Sequence, residues 1–218
     1  MPRMARLVVP YYPHHITQRG NRRQRVFFCD EDYQAYKCLL ATACKSARCE
    51  IWAYCLMPNH VHLVVVPETE DGLRKLFAET HRQYTRRINF RHGWRGHLWQ
   101  ERFHSFVMDE RHLMAAVRYV ELNPVVANLC QNAEDWAWSS ARAHITEQND
   151  DLVIVEPMLG RVQDWREYLD QKENVTADKI RQATRTGRPK GDDHFLALIE
   201  KLSGIDVRPR RPGRKARD

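Results

Sequence analysis

Tyr54-Cys-Leu-Met-Pro-Asn-His-Val-His-Leu-Val-Val-Val-Pro67 is the stretch that decides how this chain is read. A β-branched run bounded by Pro58 and Pro67 predicts a short buried strand. Alternate strand residues share a face, so His60 and His62 point one way and Val61 points into the opposite layer. Two neighbouring imidazoles on a rigid strand can share one metal ion, because neutral imidazole is a common ligand. Core or edge histidines are the competing reading, and the pair alone does not decide between the two.

Outward from that strand, Ile51–Met57 predicts a partner strand, with Pro58-Asn59 turning the hairpin. Before it, Asp30 suits a helix N-cap with Glu31 and Asp32 in the first turn, and Tyr36, Leu40, Ala43, Cys44 and Ala47 keep helical spacing. Residues 5–20 predict one or two strands, Arg6–Val9 and His15–Gln18, separated by Pro10 and Pro13. Next come Gly20–Arg25, a basic turn in which Arg22, Arg23 and Arg25 follow Arg19 and suit phosphate groups. A plain solvated loop explains that turn equally well. Val26–Cys29 reads as a short strand or a docking segment.

Downstream, residues 70–91 predict a second helix with Leu73, Leu76, Phe77, Tyr84 and Ile88 on its core face. Its other surface carries Arg74, Lys75, Arg82, Arg86, Arg87 and Arg91, a solvated face or a nucleic-acid track. Residues 97–107 predict another strand, and Asp109 caps a third helix. The order β, β, α, β, β, α, β, α predicts an α+β domain, an antiparallel sheet with helices on one face. That domain is expected to span 1–145, closed by Trp136–Ser140. A helical extension follows over 146–204, with helices near 161–170, from Thr176, and over 194–202. Residues 205–218 form a basic tail bearing Arg208, Arg210, Arg211, Arg214 and Lys215, expected to stay disordered until it meets an anion.

The 218 residues, 43% hydrophobic and 29% charged, are those of an ordinary globular chain with a substantial core. No apolar run approaches the ~20 residues of a membrane span, and Leu7–Val9 is too short for a signal-peptide core. A cytoplasmic protein, held at the nucleoid through DNA, is the expectation. The six cysteines form no Cys-x-x-Cys pair, which argues against a zinc ribbon and for buried free thiols. A formal net charge of +7 permits a polyanionic partner.

The third helix carries Leu113, Val117 and Val120 as its core stripe. Tyr119 lies off that stripe at ~100° per residue, and Asn123 is one turn further on the same face. Pro124 ends or kinks the helix there. A half-buried tyrosine and an Asn-Pro cap are the structural alternatives. Two His nitrogens with an amide oxygen would make a divalent-ion site with open positions for a phosphate.

Met57-Pro-Asn-His-Val-His-Leu-Val64, Leu98-Trp-Gln-Glu-Arg-Phe-His104 and Arg118-Tyr-Val-Glu-Leu-Asn-Pro-Val125, in this order, resemble the REP-associated tyrosine transposases, a branch of the single-tyrosine HUH transposases. The resemblance covers about residues 5–145, and Thr186-Gly-Arg-Pro189 with the basic end is similar to a tail found in many members. It implies a ferredoxin-like (RRM-like) sheet, His60, His62 and Asn123 as ligands of Mg2+ or Mn2+, and Tyr119 as nucleophile. It also implies cleavage of single-stranded DNA beside short palindromic hairpins. The chain departs from the family at Val126 and Asn128, where Arg and Gly are common, and at Glu101, where Gly is common.

On this reading Tyr119 attacks a phosphate, leaving a 5′-phosphotyrosine and a free 3′-hydroxyl that can be rejoined without ATP. Two other classes stay open. A hairpin-binding regulator with this fold would not cut DNA, and a metal-dependent phosphoesterase using water would leave no covalent adduct. Sequence does not choose between a monomer and a homodimer.

Overall fold

The predicted hairpin is real and lies within a four-stranded sheet of strand order β2-β3-β1-β4. In the computed structural model, which describes residues 6–171 and 177–208, the strands are β1 (His14–Arg19), β2 (Cys49–Met57), β3 (His60–Pro67) and β4 (His104–Val107). All three pairings are antiparallel. The helices are α1 (Asp30–Ala47), α2 (Gly72–His92), α3 (Glu110–Glu121), α4 (Asn123–Val126), α5 (Ala141–Ile145), α6 (Glu156–Leu159), α7 (Trp165–Asp170), α8 (Ala177–Thr186) and α9 (Asp193–Ser203).

Strand alternation divides the core in two. Ile16, Val61, Leu63 and Val65 pack with Tyr36 and Leu40 of α1 and Leu73, Leu76, Phe77, Tyr84 and Ile88 of α2. Residues one position out of phase, Ala53, Cys55, Val64 and Phe106, pack with Leu113, Val117 and Val120 of α3. Thus α1 and α2 cover one face in the expected α+β arrangement, and α3 covers the other. Trp165, Tyr168 and Leu169 of α7 and Ile180 and Ala183 of α8 join α3 there, so the helices beyond residue 145 extend the second core. A third cluster seats Leu7 and Val9 against Val107, Phe195 and Ile199. The Trp136–Ser140 segment runs beside β2, where Leu56 N–H donates to the Trp138 carbonyl at 2.8 Å.

Several expectations shift. Asp30 is the first residue of α1 and Cys29 is its N-cap, without a side-chain cap bond. Asp32 instead reaches back: its Oδ2 accepts from Phe28 N–H at 2.9 Å, and the Arg91 guanidinium donates to both oxygens at 2.6 and 2.7 Å. Arg91 therefore ties α2 to α1 and leaves the basic solvent face. Leu7–Val9 is buried coil rather than strand; Pro10 and Pro13 bracket Tyr11, whose φ is 65°. Val26–Cys29 is a docking segment, with Phe27 stacked on Tyr33 at 4.3 Å. The strand expected over 97–107 starts only at His104, because Glu101 at φ 47° turns the chain and Trp99 makes just one bridge, to Gly20. Cys29 and Cys38 are exposed free thiols, whereas Cys49 and Cys55 are buried ones. Among the described residues no helix is long and apolar enough to cross a membrane. Thr176, Arg210, Arg211, Arg214 and Lys215 lie outside the described residues.

Candidate active site

His60 and His62 do share a sheet face, with ring centroids 4.9 Å apart and planes at 81°. Each has its Nδ1 engaged. The His60 Nδ1–H donates to Asn59 Oδ1 at 2.6 Å, and the amide is oriented by its own Nδ2, which donates to the Arg23 carbonyl at 3.1 Å. His62 Nδ1 meets His15 Nε2 at 3.2 Å. Burial, then Arg19, lowers the His60 pKa to about 3. Burial drives His62 well below the ordinary histidine value, with His60, His15 and Arg19 adding to it. Both rings are thus neutral, the form that binds metal. His60, donating from Nδ1, offers Nε2 for a cation, and His62 does so in the tautomer protonated at Nδ1, so the donor chemistry fits a divalent ion. Among the described residues no three His, Cys, Asp or Glu side chains converge as ligands.

Tyr119 reaches the histidines from α3. Its ring is half-buried, 5.4 Å from His62 at 89° and 6.2 Å from His15. It opens into a cleft of about 460 Å³ whose wall includes His62, Arg19, Arg23, His104 and Arg181. Arg181, on α8, shares the cleft wall with Tyr119 and donates to Asp178 Oδ1 at 3.1 Å; its interaction with Tyr119, more than with the Asp178 carboxylate, raises the Arg181 pKa. Burial, then Arg23, lowers the pKa of Arg19.

The residues flanking Tyr119 hold its helix in place. Arg118 Nε–H donates to the Tyr168 carbonyl at 2.7 Å, and its guanidinium lies 4.4 Å over the Tyr168 ring. Glu121 is fully buried and accepts from Ser140 Oγ at 2.5 Å, His144 Nδ1 at 2.6 Å and Trp165 Nε1 at 2.7 Å. These bonds fasten α3 to α5 and α7 on both sides of the tyrosine.

Asn123 opens α4, half-buried, and makes no side-chain cap. It does not line the cleft. The backbone nonetheless stays helical past it, with Val126 N–H donating to the Leu122 carbonyl at 3.0 Å. Of the basic candidates, Arg19 and Arg23 line the cleft, while Arg22 and Arg25 are exposed on the same turn. Arg82 and Arg86 border a separate hollow with Phe90 on α2, on the side of the sheet away from Tyr119. Arg208 pairs with Asp193 at 3.5 Å.

Sequence reasoning missed His15, the His104–Glu101 pair at 3.2 Å and Arg181. His15 alternates with Thr17 and Arg19 on one face of β1, a readable signal, but only the register places it beside His62. Nothing local marks Arg181.

The family described as Transposase IS200 like matches residues 8–123, more than half of the chain. The chain belongs to that family. Its members are tyrosine transposases, enzymes that cut and rejoin DNA and generally use a divalent metal. A protein of Haemophilus influenzae described as a REP-associated tyrosine transposase is 27% identical over 136 residues, 57% of this chain and 75% of its own length. A solved REP-associated tyrosine transposase, bound to a REP hairpin, superposes with a TM-score of 0.59 at 21% identity, covering 69% of this chain and 90% of that one. The resemblance of the three motifs to REP-associated enzymes is thereby met.

The two departures at family glycines also gain a physical account in this IS200-like transposase. Glu101 has φ 47° and Asn128 φ 54°. Both lie in the left-handed region, which glycine enters freely, asparagine tolerates and glutamate disfavours.

Proposed function

We propose that this transposase is a metal-dependent single-stranded DNA endonuclease and strand transferase that cuts beside palindromic hairpins, with Tyr119 as nucleophile. One observation carries the reading: the Tyr119 ring stands over His62 at 5.4 Å, in a cleft that also holds Arg19 and Arg23. Its relative solved with a REP hairpin supports the hairpin as partner. In the cell it would act in the cytoplasm, at the nucleoid.

His60 and His62 would hold Mg2+ or Mn2+ through Nε2, with Asn123 completing the set. When bound, the ion withdraws charge from the phosphoryl oxygens. Arg19 and Arg23 pair with backbone phosphates and set the strand in the cleft. Arg181 would donate to the Tyr119 oxygen and orient it. The tyrosine oxygen then bonds to phosphorus as the bond to the 3′-oxygen breaks, giving a 5′-phosphotyrosine and, after protonation, a free 3′-hydroxyl. A tethered nucleophile at fixed angle lowers the entropic cost of the attack. Because the phosphodiester energy is retained, another 3′-hydroxyl can reverse the step and join strands.

The test is a covalent adduct. Protein, Mn2+ or Mg2+ and a 3′-labelled single strand bearing a hairpin are incubated and denatured. The 3′ fragment should migrate with protein and map to Tyr119. Tyr119→Phe removes one hydroxyl, should cost at most ~1–2 kcal/mol of stability, and should abolish both adduct and cleavage. Cleavage that persists in the Phe variant without an adduct points to water as nucleophile. Binding with no cleavage in the wild type points to a regulator.

A further inference from the structure

The mechanism leaves His15 unused. Thr17 pairs with His62 across β1 and β3, and His15 pairs with Val64, so His15 and His62 are diagonal neighbours on one face. Their rings stack at 5.3 Å and 26°, and His15 Nε2 lies 3.2 Å from His62 Nδ1. Both are buried, an environment that favours the neutral imidazole. A contact between two neutral imidazole nitrogens needs one N–H and one lone pair, so only two arrangements exist. Either His62 donates from Nδ1 and keeps a lone pair on Nε2, or His15 donates and leaves the His62 proton on Nε2.

We infer that His15 is a positioning residue that accepts the Nδ1–H of His62 and so fixes the His62 tautomer whose Nε2 lone pair is free. This rests on the reading of His60 and His62 as metal ligands. Asn59 does the same for His60, where the amide oxygen can only accept. Each proposed ligand then has its own Nδ1 acceptor, the outer-shell arrangement that orients metal-binding histidines. In this arrangement His15 carries its proton on Nδ1, a buried atom with no hydrogen-bond partner. The neighbouring ring is Phe106, 5.2 Å away, and an aromatic ring accommodates an N–H better than a lone pair. His15 is not itself a ligand, since its Nε2 is spent on His62.

The direct test needs neither metal nor mutation. In 15N-labelled, metal-free wild-type protein near neutral pH, long-range 1H–15N spectra should show His62 protonated at Nδ1 and bare at Nε2. A His62 proton on Nε2 overturns the inference. The second arm titrates Mn2+ against the protein without DNA, by calorimetry. His15→Phe keeps the ring and removes the acceptor, and should weaken Mn2+ binding by roughly 10–100-fold. His15→Gln restores an acceptor oxygen and should recover most of that loss. Equal affinity in wild type and His15→Phe also overturns the inference. Mn2+ binding that is absent in the wild type, or insensitive to His60→Ala, defeats the metal reading instead, and the tautomer spectrum still reports on His15.

Discussion

The two faces of the sheet hold their helices by different means, although the residues that face them alternate along the same strands. Beneath α1 and α2 lie Ile16, Val61, Leu63 and Val65, a non-directional apolar contact whose ion pairs sit at its edges, Asp32–Arg91 between the helices and Lys37–Asp150 beside α1. Beneath and around α3 lie His15, His62, Arg118, Glu121, Ser140 and His144, all buried. Apolar packing stabilises by area removed from water and tolerates small slides. Hydrogen bonds to a buried carboxylate do not, because any slide leaves desolvated partners unpaired. The face that, on the proposed mechanism, presents Tyr119 at a set angle to two histidines is the one fastened by directional bonds.

That contrast can be broken most severely at the chemistry itself. His60→Ala should remove Mg2+- or Mn2+-dependent cleavage while leaving hairpin binding and the unfolding midpoint close to wild type, since His60 is only half-buried and the arginines remain. Gel assays of cleavage and binding, run side by side, check this; wild-type cleavage at saturating metal would remove His60 from the site.

Paired truncations compare the faces. Glu121→Ala leaves the His144 and Trp165 donors buried without an acceptor, and Ser140 Oγ with only the Tyr54 carbonyl at 3.3 Å, and should cost roughly 3–5 kcal/mol, with adduct yield falling even where the protein remains folded. Leu63→Ala, on the apolar face, should cost roughly 2–5 kcal/mol yet retain adduct yield per folded molecule. Denaturant titration with quantified adduct separates them; equal adduct loss in both would erase the distinction.

Acid should act on the apolar face through the Asp32–Arg91 pair between its helices. Burial pulls the Asp32 carboxyl upward, but the Arg91 guanidinium and the Phe28 N–H outweigh it and hold its pKa below the ordinary value. A depressed folded-state pKa gives stability that is present above the unfolded value of about 4 and is lost as pH falls through the folded one. Urea midpoints from pH 7 to 3 should therefore drop more steeply in wild type than in Asp32→Asn, which is less stable at pH 7. Parallel curves would exclude Asp32 from the acid limb.

The smallest effect concerns the cleft wall. Glu101→Gly relieves a glutamate at φ 47° and should raise stability by about 0.5–1 kcal/mol. It also removes the carboxylate facing His104. A gain in the unfolding midpoint with reduced cleavage would show a side chain retained for the site against its backbone preference.

Much of this was legible in the residues. Alternation between Pro58 and Pro67 placed His60 and His62 on one face, and the Leu113, Val117, Val120 stripe placed Tyr119 off the α3 core, because both patterns depend on neighbours two to four positions away. Helix α2 and its core face followed for the same reason. The strand over 97–107 was overread because aromatic content outweighed a turn made by a glutamate in a glycine-like conformation. Asp30 lies inside the helix rather than at its cap, where Cys29 stands without a side-chain bond, and the Asp32 carboxylate accepts from Phe28 N–H upstream.

Tertiary structure alone decided the rest. Nothing near His15 in the chain indicates that the antiparallel register sets it against His62, 47 residues away. Glu121 finds its three donors in segments up to 44 residues downstream, and Arg181 comes to the cleft beside Tyr119 from a helix beyond the three motifs only because α8 packs on the same core as α3. Local periodicity tells a side chain which way to point. Which partner waits there depends on register and docking, set by contacts distant in sequence.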